Sequence, residues 1–467
     1  MPAAAEAAVM PLDPRRVHPR RVGRAKRAPP RSARRSLVAI LLLWACFAAA
    51  VAARARADDW PQWRGPTRDG VWRESGIVEK FAGPELKPRW RAAVAGGYSG
   101  PTVAAGRVYL TDRLTKPSQV ERVLCFDAAN GKPLWTHAYP CPYGSMSFPC
   151  GPRASVTIHD GRAYALGTMG HLHCLDAATG AVLWKKDVEK EYGIRIPIWG
   201  IAAAPLIEGE LVILNVGAAQ DKTILALDRK TGRERWAALD DPASYSAPIV
   251  VERGGRRVLV CWTGSRLVGL EPSTGKVLWA HPFVHRRWIG MVATPVVAGG
   301  KIFVSTMDEG SLLVEMAADG TSSRELWRRR GANEIVTDAL HTMISTPRFD
   351  GNYVYGVDSY GQLRCLDVKT GDRLWEDTTA VPKARWSNIH IVQNGENSWL
   401  FNERGELIIA RLSPAGYREL SRAKLLKPTL GQLPQRGGVC WSHPAFAQRC
   451  VFARNDEELV AVSLAAE

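Results

Sequence analysis

The chain has 467 residues, 46% of them hydrophobic, and a formal net charge of +16. Twelve of its 62 Lys/Arg but only two of its 46 Asp/Glu lie in residues 1–57, so the rest carries +6, which gives no case for nucleic-acid binding. There is no C-x-x-C pair, Gly-rich phosphate loop, G-x-S-x-G elbow or H-E-x-x-H, and so no motif for a zinc knuckle, c-type haem, nucleotide or the common hydrolases.

Residues 1–57 form a basic n-region followed by an apolar run from Leu37 to Ala53, then Ala55-Arg56-Ala57 before Asp58. This pattern reads as an export signal. Arg34-Arg35 points to the twin-arginine route, although Ala33 stands where Ser or Thr is usual. Leu43-Trp44-Ala45-Cys46 resembles a lipoprotein box, but Trp44 is bulky for it. A retained single anchor is the alternative, because the run is near the lower limit of a span. The expected location is the periplasm or cell envelope, with membrane contact only through such an anchor.

Residues 58–86 are a Trp- and Pro-rich entry segment opening DDWPQWRGPTRDG. From residue 87 the chain repeats. CFDAANGKPLW ends at Trp135, CLDAATGAVLW at Trp184, ALDRKTGRERW at Trp236, GLEPSTGKVLW at Trp279 and CLDVKTGDRLW at Trp375. A decayed copy ends at Trp327, a copy without Trp at Leu420, and an orphan tail at Trp90. Counting back eight residues places Asp127, Asp176, Asp228, Glu271, Asp319, Asp367 and Leu412 in one slot. Wedges fall about 45–48 residues apart on average, a period typical of propeller blades.

Each copy reads as strand, turn, strand. Asp-x-x-Thr-Gly caps a tight reversal, and the Trp starts an outer strand and wedges against the neighbouring blade. Between copies lie hairpins such as APLIEGELVIL from Ala204 and TPVVAGGKIFV from Thr294. The C-terminus stops before its last turn and Trp, which matches the orphan strand at Trp90. The expectation is an all-β, eight-bladed propeller over 87–467, its four-stranded antiparallel last blade completed by the N-terminal strand.

Insertions concentrate in the crossovers from each outer strand to the next inner one, which marks a binding face. Those crossovers carry Arg153, Arg195, Trp199, Tyr245, Arg287, Trp288, His341, Trp386, His390, Trp441 and His443. Gathered at a channel mouth, they suit an anionic or planar ligand, or the hot spots of a protein partner. Cys125, Cys174 and Cys365 share a slot for small buried residues, and Cys261 and Cys450 sit in strands. Cys141 and Cys150, in one long crossover, are a disulfide candidate for an exported protein. No metal site is expected.

The repeats resemble the PQQ-like family of eight-bladed propellers, with its A/C-x-D-x-x-T-G-x-x-x-W pattern, over about residues 60–467. The resemblance implies one of two functions. Quinoprotein dehydrogenases oxidise alcohols or sugars with PQQ and calcium. Scaffolds such as the outer-membrane-assembly lipoprotein BamB hold partners and do no chemistry. The chain resembles the scaffold branch more, because it lacks the adjacent cysteines of the dehydrogenases and its crossovers are poor in carboxylates. The expectation is an exported, non-catalytic propeller without a cofactor, binding a protein, peptide or cell-envelope component. The alternative is a PQQ/Ca-dependent dehydrogenase with an atypical site.

Overall fold

The computed structural model describes residues 58–218, 221–285 and 289–466, so the export segment, Arg287 and Trp288 lie outside the described residues. From residue 58 onward the described residues form one compact unit. Among the described residues thirty-two strands make eight four-stranded antiparallel sheets, seven of them ordered in sequence from inner to outer strand. Blade 1, for example, uses Thr102–Ala104, Arg107–Leu114, Val120–Asp127 and Pro133–Pro140. Blade 8 takes three strands from the C-terminus and its fourth, Trp90–Ala93, from the N-terminal side, with Trp90 opposite Ala461. The ring closes as the repeat count predicts, and closure leaves no open sheet edge between the ends.

The repeat chemistry explains the blade contacts. In blade 2, Asp176 Oδ1 accepts from the Ala178 and Thr179 amides and from the Thr179 hydroxyl. The turn then passes through Gly180 at φ 76°, where a side chain is disfavoured. The preceding blade exploits that missing side chain. Trp135 lays its ring over Gly180, where a Cβ would sit 2.6 Å from the ring. Its Nε1 donates to the Ala177 carbonyl at 3.1 Å. The same indole-to-carbonyl bond joins Trp90 to Ala128, Trp184 to Arg229, Trp236 to Pro272, Trp327 to Val368 and Trp375 to Ser413. Each wedge therefore fastens one blade to the turn of the next.

Trp279 breaks the series. Its buried Nε1 has no hydrogen-bond partner. The Trp279 ring lies over Gly269 of its own blade, and the next blade carries the decayed copy. Trp327 pairs with Leu313, and the hairpin then continues through Glu315 opposite Arg324 and Met316 opposite Ser323 before it turns. Two extra ladder positions put Met316, not a turn residue, in the acceptor slot. Asp319 thus lies within the turn itself, where it accepts from the Thr321 amide, and the slot equivalent to the other acids is Glu315.

The entry segment is built into the ring. Trp60 bridges to Val103 on the inner strand of blade 1, Val71 to Gln393 on that of blade 7, and Glu85 to Lys424 on the outer strand of blade 7. Trp60 and Trp72 are 2% and 1% exposed and pack on Phe446 and Trp399. Inner strands begin after Pro205 and Pro248, a residue tolerated on a channel-facing edge because no amide is needed there. Their carbonyls accept from Arg68. Its guanidinium donates to the Ala204 carbonyl at 3.3 Å, to that of Pro248 at 3.0 Å and to that of Pro205, while its Nε reaches Gln62. Burial without a carboxylate partner pushes the Arg68 pKa down to about 9. Residues 58–70 thereby plug one end of the channel.

Candidate functional site

Above the plug lies a cavity of about 170 Å³. Each of the eight crossovers delivers at least one residue to its wall: Tyr98, Phe148, Trp199, Tyr245, Val292, Met343, Trp386 and Trp441, taken in order round the ring. Trp63 of the plug forms the floor, its ring 4.5 Å from that of His443. Phe148 sits at φ 57° and reaches inward until its ring centroid is 6.0 Å from Trp386, 6.4 Å from Trp199 and 6.5 Å from Trp441.

The polar edges of this wall are engaged elsewhere. Trp63 Nε1 donates to Thr294 Oγ1 at 2.8 Å, Trp386 Nε1 to Met307 Sδ at 2.9 Å and Trp441 Nε1 to Glu403 Oε2 at 3.2 Å. The Tyr98 hydroxyl donates to the Gln432 carbonyl, and that of Tyr245 accepts from the Trp199 amide. Arg153 gives its guanidinium to the carbonyls of Gly151, Ser147 and Phe148 while lying 4.8 Å over the Tyr98 ring. It folds its own crossover and so positions Phe148.

The two histidines are neutral lining groups. His443 Nδ1 donates to the Pro444 carbonyl, so Nε2 accepts the Ser155 hydroxyl at 2.6 Å. His390 Nε2 donates to the Trp441 carbonyl at 2.8 Å. Burial, with Arg64 adding positive charge, lowers His390 to about 4. Burial and the facing His390 lower His443 to about 3. Behind Trp441, Glu403 is fully buried and held by Arg436 and Ser387, and burial raises its pKa despite the Arg436 charge.

Seven of the residues singled out from the crossovers meet at this cavity: Arg153, Trp199, Tyr245, Trp386, His390, Trp441 and His443. Two do not. Arg195 is exposed on its crossover. His341 is fully buried away from the cavity, with Nδ1 donating to the Met307 carbonyl and Nε2 accepting from the Gly331 amide. Sequence reasoning missed Trp63, Tyr98, Phe148, Ser155, Met343 and Ile344. Phe148 and Ser155 lie within the same crossover as Arg153, so position there was their available signal. Trp63 had none, since nothing local says that the entry segment enters the channel.

The disulfide between Cys141 and Cys150 is not formed, and both are free thiols. They face different neighbours: Cys141 Sγ lies 3.8 Å from His171 Nδ1, and Cys150 Sγ donates to Asp456 Oδ1 at 3.2 Å. The intervening residues carry Phe148 to the cavity wall. Burial raises both thiol pKa values, that of Cys150 to about 12, so neither is a reactive thiolate.

The family model described as Outer membrane protein assembly factor BamB matches residues 119–376 and 294–467. The chain belongs to that family. Its similarity to the BamB of Burkholderia pseudomallei is 24% identity over 306 residues, 63% of this chain and 69% of the relative. To the BamB of Shewanella oneidensis it is 25% over 237 residues, covering 48% and 56%. A 1-butanol dehydrogenase (quinone) of Thauera butanivorans is 30% identical over 148 residues, which cover 29% of this chain and 23% of that enzyme. The match thus spans just over half the length of the Shewanella relative and under a quarter of the dehydrogenase. Among solved structures, BamB from Moraxella catarrhalis superposes with a TM-score of 0.53 at 18% identity, covering 80% of this chain and 96% of that one. Quinohemoprotein alcohol dehydrogenase from Comamonas testosteroni gives 0.59 at 15% identity, covering 90% and 82%. At these identities the likeness to solved structures establishes the fold alone.

Proposed function

We propose that the protein is a non-catalytic scaffold of the cell envelope that binds a protein or peptide partner through its crossover face. One observation carries the reading. Among the described residues the five most exposed large apolar ones are Ile198, Val284, Ile335, Val336 and Leu430, at 57–70% exposure, and all lie on crossovers. The other exposed apolar residues, Leu134, Val182, Leu183, Val277 and Leu374, stand at 43–45% on outer strands or beside them, where the repeat places them before the wedge. Apolar loop tips around an aromatic cup match the make-up of a protein-binding surface. Membership of the BamB-type family supports the same reading.

The dehydrogenase alternative requires the cavity to hold PQQ and Ca²⁺, and the wall does not fit them. Ca²⁺ takes six to eight oxygen ligands, yet among the described residues no Asp or Glu lines the cavity. Arg153 is spent on loop carbonyls, and about 170 Å³ is below the roughly 300–1,000 Å³ of ordinary ligand sites. The test places a photo-cross-linking residue at Ile335 or Leu430, with Leu134 and Val182 as outer-strand controls. The expected result is one discrete envelope polypeptide captured from the crossover sites and not from the controls. Equal capture at all four positions, or none, overturns the reading. Dye-linked oxidation of an alcohol or sugar in the presence of PQQ and Ca²⁺ would restore the alternative.

A further inference from the structure

The axial cavity has a composition that restricts its occupant. Its volume, about 170 Å³, is close to the roughly 150 Å³ of an apolar cavity that takes one benzene ring. The room exists because Ala202, Ala204 and Ala247 stand among the aromatic side chains. Its indole N–H groups at Trp63, Trp386 and Trp441 are bonded to Thr294, Met307 and Glu403; the Tyr98 and Ser155 hydroxyls and both histidines have internal partners, and the Tyr245 hydroxyl accepts from the Trp199 amide.

A sugar would therefore leave most of its hydroxyls unpaired on entry, at a cost for each buried polar group. Among the described residues a carboxylate finds no uncommitted cation on the wall, since Arg153 is engaged by three carbonyls. An alkylated ammonium, which aromatic cages otherwise favour, meets Arg153 and no lining carboxylate. An uncharged ring, by contrast, gains edge-to-face contacts with several partners.

Access is restricted too. Trp63 closes the floor, and beneath it Arg68 is bonded to carbonyls of blades 3 and 4. A chain cannot thread the channel, so a group can enter only end-on from the crossover face, where the exposed apolar loop tips stand.

On these grounds, and resting on the crossover-face reading, we infer that the cavity is a receptor for one uncharged aromatic side chain, of the phenylalanine type, presented by the partner polypeptide. The bound ring fills the space between Phe148, Trp199, Tyr245 and Trp386, while the loop tips meet the flanking residues of the partner.

The experiment titrates the full chain with N-acetyl-phenylalaninamide, N-acetyl-alaninamide, N-acetyl-aspartamide and tetramethylammonium, following tryptophan fluorescence and ligand-observed NMR. The phenylalanine probe is expected to bind at least tenfold more tightly than the other three. Ala202→Leu and Ala247→Leu, which fill the cavity from two sides, are expected to weaken it at least tenfold, with thermal unfolding confirming that each variant is folded. Trp63→Ala, which lowers the floor, is expected to admit N-acetyl-tryptophanamide. Absence of phenylalanine binding, equal binding of the alanine or aspartate probe, preference for tetramethylammonium, or undiminished binding in both filled variants overturns the inference. If the probe fails while a cross-linker at Ile335 still captures its polypeptide, the cavity inference falls and the crossover-face reading stands. If the probe binds but no polypeptide is captured, the receptor is not for a partner side chain, and both fall.

Discussion

Replacing the wedge tryptophans of two adjacent blades by phenylalanine separates ring packing from hydrogen bonding. Trp236 and Trp279 are 8% and 6% exposed, so either substitution removes a similar buried volume. Trp236 Nε1 donates to the Pro272 carbonyl at 3.0 Å, and Trp236→Phe leaves that buried acceptor unpaired. Trp279 Nε1 has no partner, so Trp279→Phe removes an orphaned donor and breaks no bond. A net hydrogen bond is worth about 1 kcal/mol, and an abandoned buried partner costs about 1–3 kcal/mol. Trp236→Phe is therefore expected to destabilise by about 1–3 kcal/mol more than Trp279→Phe. The assay is urea unfolding followed by far-UV circular dichroism, with calorimetry to test whether the ring unfolds as one unit, because blades can uncouple. Equal losses, or a larger loss at Trp279, would show that the indole-to-turn bond does not fasten the blades and would refute the reasoning.

Stability is also expected to fall as pH drops from about 6.5 toward 4. His390 and His443 have folded pKa values of about 4 and about 3, below the ordinary 6.5, so the unfolded chain binds more protons across that window. Their contribution is complete above pH 6.5 and lost as pH falls through the folded values, on the order of 3 kcal/mol each. A melting temperature flat from pH 7 to 4.5 would refute this. Arg153→Ala frees the carbonyls of Ser147, Phe148 and Gly151, and is expected to cost about 2 kcal/mol and open the 141–152 crossover to limited proteolysis. An unchanged digestion pattern would show that Arg153 does not hold that loop. Alkylation of the denatured protein without reductant is expected to label both Cys141 and Cys150, and protection of the pair until reduction would contradict the free thiols.

Much of the fold was legible because a propeller writes its geometry into a local repeat. The Asp-x-x-Thr-Gly turn and the Trp after it are determined within about a dozen residues, so their spacing gave the blade count and the closing strand at Trp90. Counting failed at blade 5, where a longer hairpin tip moved the slot from Asp319 to Glu315, because strand pairing rather than spacing sets register. The crossovers announced the cavity, since most of its wall comes from residues just ahead of inner strands. Single side chains there were harder to read. Arg153 looked like an anion ligand until its own loop carbonyls claimed it, and His341 was drawn into bonds with Met307 and Gly331.

The sequence by itself determined the ring of eight blades and the family, because both rest on a motif repeated at nearly constant spacing. Only the tertiary structure decided that residues 58–70 plug the channel, that Trp63 floors an aromatic cavity open to the crossover face, and that Cys141 and Cys150 do not pair. These depend on contacts across more than a hundred residues of chain, or on which of several local partners a side chain takes, and neither is encoded in a local pattern.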